Sequence, residues 1–147
     1  MEYWHRLTPG LIGALVKART HVADTGINFF QTNELGLTHS ELCNWSKLRH
    51  HGLVVKHHDE DGNFDGWLLS KRVGPFMRNE IAIPIRVKTF RNKTIDHDEK
   101  LVYLRDIYKE DLPYFENIES IDREIHPMIK VEDNGQLAMI GGEYGIS

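Results

Sequence analysis

Three observations predict an α+β chain. Apolar residues recur at helical spacing after a start signal at Thr8-Pro9-Gly10, and a second start signal runs from Thr38 to Glu41. Beyond it, two short apolar runs, Leu53-Val54-Val55 and Trp67-Leu68-Leu69, flank an acidic turn. At 147 residues, 40% hydrophobic and 27% charged, the chain fits one globular domain, or a small one with an appendage, and can bury a core. The reading divides it into a first unit over 1–80 and a β-hairpin/helix extension over 81–147.

Helix 1 is predicted over 9–22. Proline at the first helical position loses no hydrogen bond, Leu11, Leu15, Ala18 and Val22 form one stripe with Ile12 and Ala14 beside it, and Asp24-Thr25-Gly26 stops it. Ile27 to Phe30 is short and apolar, and Thr32 to Gly36 reads as a brief second helix or turn. A third helix is predicted over 38–51, with Thr38 and Glu41 forming a capping box and Gly52 ending it. At 100° per residue, Leu42, Trp45 and Leu48 face inward. Ser40, Cys43, Asn44, Lys47, His50 and His51 face outward, a set of hydrogen-bonding and basic side chains suited to base edges and phosphates.

The two apolar runs then read as strands around a tip at Asp61-Gly62-Asn63. Helix, strand, turn and strand in this order make the second half of a winged helix-turn-helix. The tip is acidic, with Asp59, Glu60, Asp61 and Asp65, which opposes an ordinary contact with a phosphate backbone. Ser70 is the expected cap of a helix through Met77, with Phe76 and Met77 inward and Pro75 expected to kink, delay or restart it.

The segments LGLTHSELCNWSKLRHHGLV, GWLLSKRVGPFMRNE and PIRVKTFRNKTI together resemble a group of small winged-helix proteins of bacteria, archaea and phages. These carry a similar Gly-Leu-Thr helix start, a Lys-Leu-Arg…Gly-Leu-Val helix end, a Gly-x-Trp-x-Leu strand and a Phe-x-Arg-x-Glu…Pro segment before a strand pair. The resemblance covers residues 7–95. It implies the winged-helix fold and transfers no catalytic residue.

In the extension, Ile81 to Phe90 reads as a half-buried strand with Ile83, Ile85 and Val87 inward and Arg86 and Lys88 outward. Arg91-Asn92-Lys93 is the turn, Thr94-Ile95 starts the return strand, and Leu101 to Leu104 is a further strand candidate. So small a sheet is expected to pack on the first unit or on a second subunit. Leu112, Phe115, Ile118, Ile121 and Ile125 predict an amphipathic helix over 109–126. Asp133-Asn134-Gly135 predicts a hairpin between 128–131 and 137–140, followed by a tail.

Net charge is −4, with nine basic against nine acidic residues in 1–80 and nine against thirteen in 81–147, so the acidity belongs to the extension. One cysteine, Cys43, gives no internal disulfide and no cysteine-based zinc finger. Without a membrane-length apolar run or a leader pattern, the expected location is cytoplasmic. His50, His51, His57 and His58 are read as surface histidines and not as metal ligands, because neighbours on a strand point to opposite faces. Asp59, Asp61, Asn63 and Asp65 alternate like a calcium loop, but Gly62 stands at the fourth position and not the sixth, and Ser70 stands where a glutamate belongs. No nucleotide loop, nucleophile elbow or zinc-protease helix occurs, and His39 with Lys47 is a thin basis for a catalytic Cys43. The expectation is no enzyme and no cofactor.

Two functions remain. The first is a DNA-binding transcriptional regulator, dimeric, that puts helix 38–51 in the major groove of double-stranded DNA. Its contact set is Thr38, His39, Ser40, Asn44, Lys47, His50 and His51, supported by Lys56, Lys71 and Arg72. The second is a protein-binding adaptor or inhibitor, of phage origin, that presents the acidic wing to a basic partner.

Overall fold

A computed structural model describes residues 1–115. Along them run β1 (Glu2–Arg6), α1 (Pro9–Thr25), a 3-10 turn (Thr32–Glu34), α2 (His39–Asn44), α3 (Ser46–His50), β2 (Val54–His58), β3 (Phe64–Leu69) and α4 (Val73–Met77). After these come β4 (Ile83–Pro84), β5 (Arg86–Phe90), β6 (Lys93–His97), β7 (Leu101–Val102) and α5 (Leu104–Ile107). The fold of the described residues is α+β, and its strand pairings are antiparallel.

α1 starts as its sequence dictates. The Thr8 hydroxyl accepts from the Leu11 amide at 3.2 Å, and Gly26, at φ 73°, turns the chain out three residues later than expected. Its stripe of Leu11, Ile12, Ala14, Leu15, Ala18 and Val22 is buried in the central core. The expected helix 38–51 is two short helices. Its capping box forms, with Glu41 N donating to the Thr38 hydroxyl and Thr38 N to the Glu41 carboxylate. At Trp45 the ladder tightens to three-residue spacing, Trp45 N donating to Leu42 O and Leu48 N to Trp45 O, so α2 ends and α3 begins. Trp45 and Leu48 are buried as expected, but Leu42 is 50% exposed, a correction that the broken helix explains.

β2 and β3 form a hairpin pairing Val54 with Leu69 and His57 with Gly66. Both strands extend further toward the tip than the apolar runs, because Asp59 builds the turn: its carboxylate accepts the amides of Asp61 and Asn63. A third chain lies along β3. Phe30 exchanges both backbone hydrogen bonds with Trp67, and the Asn28 amide continues the ladder by pairing with the backbone of Leu69. Gly66 lets the Phe29 ring lie close on β3, since a Cβ would meet it at 2.6 Å and displace it.

Edge-to-face ring contacts tie this ladder to the helices. Phe30 meets Trp45 at 5.9 Å, Trp45 meets Trp67 at 5.8 Å and Trp67 meets Phe64 at 5.5 Å between centroids. Each such pair contributes ~0.5–1.5 kcal/mol beyond the area it buries. Trp45, at the break between α2 and α3, therefore fixes the α2–α3 surface against the hairpin.

Ser70 does not cap α4 directly. Its hydroxyl donates to Gly52 O and accepts from Arg72 N, and the helix begins only at Val73. The delay puts Pro75 in the first turn, where its missing N–H is harmless. Phe76 and Met77 are buried as expected.

The expected strand 81–90 is split at Ile85 into β4 and β5, although Ile83, Ile85 and Val87 do face inward. β5 and β6 form the predicted hairpin, with Arg91 and Asn92 at φ 54° and 64° as a two-residue turn. Two features correct the expected sheet. β1 pairs with β5 in register Glu2 to Phe90 through Arg6 to Arg86, giving the order β1-β5-β6, and β7 pairs with β4 instead. Leu104 opens α5 and is not part of a strand. Trp4 lies on the outer face of β1, 43% exposed, under the Arg86 guanidinium at 4.6 Å and the Lys88 ammonium at 5.1 Å.

The described part of the expected helix 109–126, residues 109–115, is not helical. The rest of that helix, the hairpin at 133–135 and the tail lie outside the described residues. Ile83, Ile85, Val102 and Leu104 share one core with α1, β2 and β3. Among the described residues no helix is long and apolar enough to cross a membrane.

Candidate functional site

The α2–α3 surface differs from end to end. At its start Thr38, His39 and Ser40 are exposed, the Thr38 hydroxyl being engaged in the cap. Glu41, the one acid on this stretch, is paired with Lys17 at 2.7 Å; burial raises its carboxyl, but that ammonium and the Thr38 contacts outweigh it and hold it below the usual range. The Asn44 amide donates to Ser40 O at 2.9 Å. Lys47 is half-buried and makes no ion pair among the described residues. Cys43 Sγ lies 3.4 Å from His39 Nε2, both exposed.

The far end is covered by the three-stranded sheet. His50 stacks on His5 of β1 at 5.0 Å, Thr94 of β6 donates to His50 O, and Arg49 donates to Asn92 O in the β5–β6 turn. Burial first, then His5, Arg49 and Lys56, push the His50 imidazole down to about 4. His51 is 3% exposed, and both ring nitrogens are buried without a hydrogen bond of ordinary geometry. Burial, followed by His5, His50 and Arg72, pushes it down to about 3, while the His5 backbone opposes the shift. The helix turns this side chain inward beside Leu48, so the expected outward position of His51 is corrected. His5 is also lowered, by burial and then by Lys47.

The supporting cations are dispersed. Lys56 on β2 lies 5.6 Å from the Phe64 ring. Arg72 donates to His51 O and packs against Gly52, so its guanidinium locks the end of α3 to the start of α4. Lys71 is half-buried beside it. On the β2–β3 hairpin, Asp59 is committed to the turn and Asp65 to His57 Nδ1 at 2.6 Å, while Glu60 and Asp61 remain exposed at the tip.

The four histidines do not converge. His50 and His51 sit under β1, His57 binds Asp65, and His58 packs edge-on to Phe64. Among the described residues no group of three or more His, Cys, Asp or Glu side chains is arranged to hold a metal ion.

A cleft of about 210 Å³ opens between the start of α1 and the exposed end of α2–α3. Arg6, Thr8, Gly10 and Leu11 line one wall, and Ser40, Glu41, Asn44 and Lys47 the other. Three expected contact residues thus meet there. No family model matches the chain, and no curated protein or solved structure matches it either. The resemblance to winged-helix proteins rests on its motifs alone.

Arg6 was invisible as a site residue in the sequence. It stands before the helix cap in a stretch with no apolar periodicity, and only the turn from β1 into α1 brings it opposite Lys47. Its position just before Thr8-Pro9 was the one available signal.

Proposed function

We propose that the chain is a winged helix-turn-helix regulator that binds double-stranded DNA through the exposed end of α2–α3, reading the major groove with His39, Ser40 and Asn44 and holding phosphate with Lys47. The observation that carries this reading is the charge and hydrogen-bonding character of that surface: His39 and Ser40 are exposed, Asn44 is half-buried beside them, Lys47 has no carboxylate partner among the described residues, and the single acid is neutralised by Lys17. The order α1, α2–α3, β2, β3, with Phe30 paired to Trp67, supports the winged-helix reading. The contact set contracts to the first turns of this surface, with Lys56 and Lys71 as flanking cations; His50 and His51 are covered and Arg72 is structural. The regulator acts as a homodimer, so that two such surfaces meet two half-sites.

Fluorescence polarisation with mixed-sequence duplex DNA over a salt series tests the reading. Binding should weaken steeply with salt, and Lys47→Ala should weaken it further while reducing the salt slope by about one charge. No binding at low salt would reject it and favour a protein partner met by the exposed Glu60 and Asp61 side chains at the wing tip.

A further inference from the structure

We infer that the cleft between α1 and α2–α3 is a site for a single phosphate group, held between Arg6 and Lys47. The inference rests on the surface proposed above to meet DNA and adds β1 and the start of α1 to it.

Both cations line a space of about 210 Å³, below the ~300 Å³ of ordinary small-molecule pockets and suited to one compact anion. Arg6 is exposed and, like Lys47, has no carboxylate partner among the described residues. The Glu41 carboxylate on the same wall is already engaged by Lys17 and by the Thr38 amide, so it does not cancel them. Ser40, Asn44 and Gly10 complete the lining. Gly10 is the second residue of the 17-residue α1, where the helix supplies no acceptor for the N–H and its dipole favours an anion. Thr8 takes the next amide, Leu11 N, while Gly10 lines the cleft. A planar guanidinium and a mobile ammonium on opposite walls match the several oxygens of a phosphate better than a carboxylate. The phosphate is either a phosphodiester of the bound duplex or that of a free phosphorylated small molecule.

The experiment uses the full chain, Arg6→Gln and Arg6→Lys, each checked by circular dichroism for an unchanged melting transition. Amide resonances are followed during titration with inorganic phosphate at constant ionic strength, and duplex binding is measured over a salt series. The expected result is a saturable shift of the Gly10 and Ser40 amides that Arg6→Gln abolishes and Arg6→Lys keeps. Duplex affinity should fall about three- to tenfold in Arg6→Gln, with the salt slope smaller by about one charge. A phosphate-induced shift that depends on Arg6 in a protein without duplex affinity upholds the site, assigns it to a free phosphorylated molecule and rejects the DNA reading. Duplex binding that responds to Lys47→Ala but not to Arg6→Gln, with no Arg6-dependent shift in phosphate, upholds the DNA reading and overturns the phosphate site.

Discussion

The hairpin β2–β3 and the sheet β1-β5-β6 are both small, antiparallel and packed beside α2–α3, yet they are held in different ways. The hairpin closes over a few residues and is buried on Trp67, Leu68 and Leu69, with Phe30 and Asn28 completing it as a third chain. The sheet joins residues 2–6 to residues 86–97, and β1 buries little: its ladder, the Trp4 rings under Arg86 and Lys88, and the hydrogen bond between His5 Nε2 and the Thr89 hydroxyl hold it. One region is made by local apolar sequence, the other by long-range pairing of polar and aromatic residues. The surface at which both meet the helices is where the candidate site lies.

The largest expected difference is in the hairpin. Phe30→Ala removes a fully buried ring from the contact with Trp45 and from the core, and should lower unfolding free energy in urea by ~3–5 kcal/mol. If that loss were below about 1 kcal/mol, the aromatic ladder would not be what fixes the hairpin to the helices.

Acid should act on the sheet side. In the fold His50 and His51 stay neutral down to about 4 and about 3, whereas the unfolded chain takes up these protons near 6.5. The unfolded state therefore binds more protons throughout that window, and stability falls as pH drops through it, by at most ~1.4 kcal/mol per pH unit for each histidine. Above about 6.5 this effect is absent. His51→Leu, which removes a buried titratable ring, should flatten the slope in thermal melts taken between pH 7 and 4.

Two smaller effects probe each region's turns. Thr38→Ala removes the cap of α2 and should destabilise by ~1 kcal/mol, read in the same urea experiment. Asn92→Gly relieves a left-handed position in the β5–β6 turn and should stabilise by about 0.5 kcal/mol, since Arg49 bonds only to the backbone there.

The same contrast explains what could be foreseen. The capping box at Thr38, the proline start and glycine stop of α1, the hairpin between Val54 and Leu69 and the Arg91-Asn92 turn are local signals, and each stands where its residues indicate. β1 was missed because Glu2 to Arg6 has no apolar alternation and its partner is more than eighty residues away. The break at Trp45 left no mark because a continuous helical pattern runs through it. His51 was placed outside because the break, the Arg72 contact and the covering sheet all lie beyond the periodicity of one helix. Of the site, Ser40, Asn44 and Lys47 are legible as one polar face; Arg6 is not, since it stands before the cap of α1 and the turn from β1 into α1 brings it there.

The most direct test of the proposed site is amide chemical-shift mapping on the full chain as a short mixed-sequence duplex is added at low salt. The account predicts shifts at His39, Ser40, Asn44 and Lys47, extending to Arg6 and Gly10, with Glu60 and Asp61 unchanged. Shifts confined to the β2–β3 hairpin tip, or none on the α2–α3 surface at any DNA concentration, would contradict it.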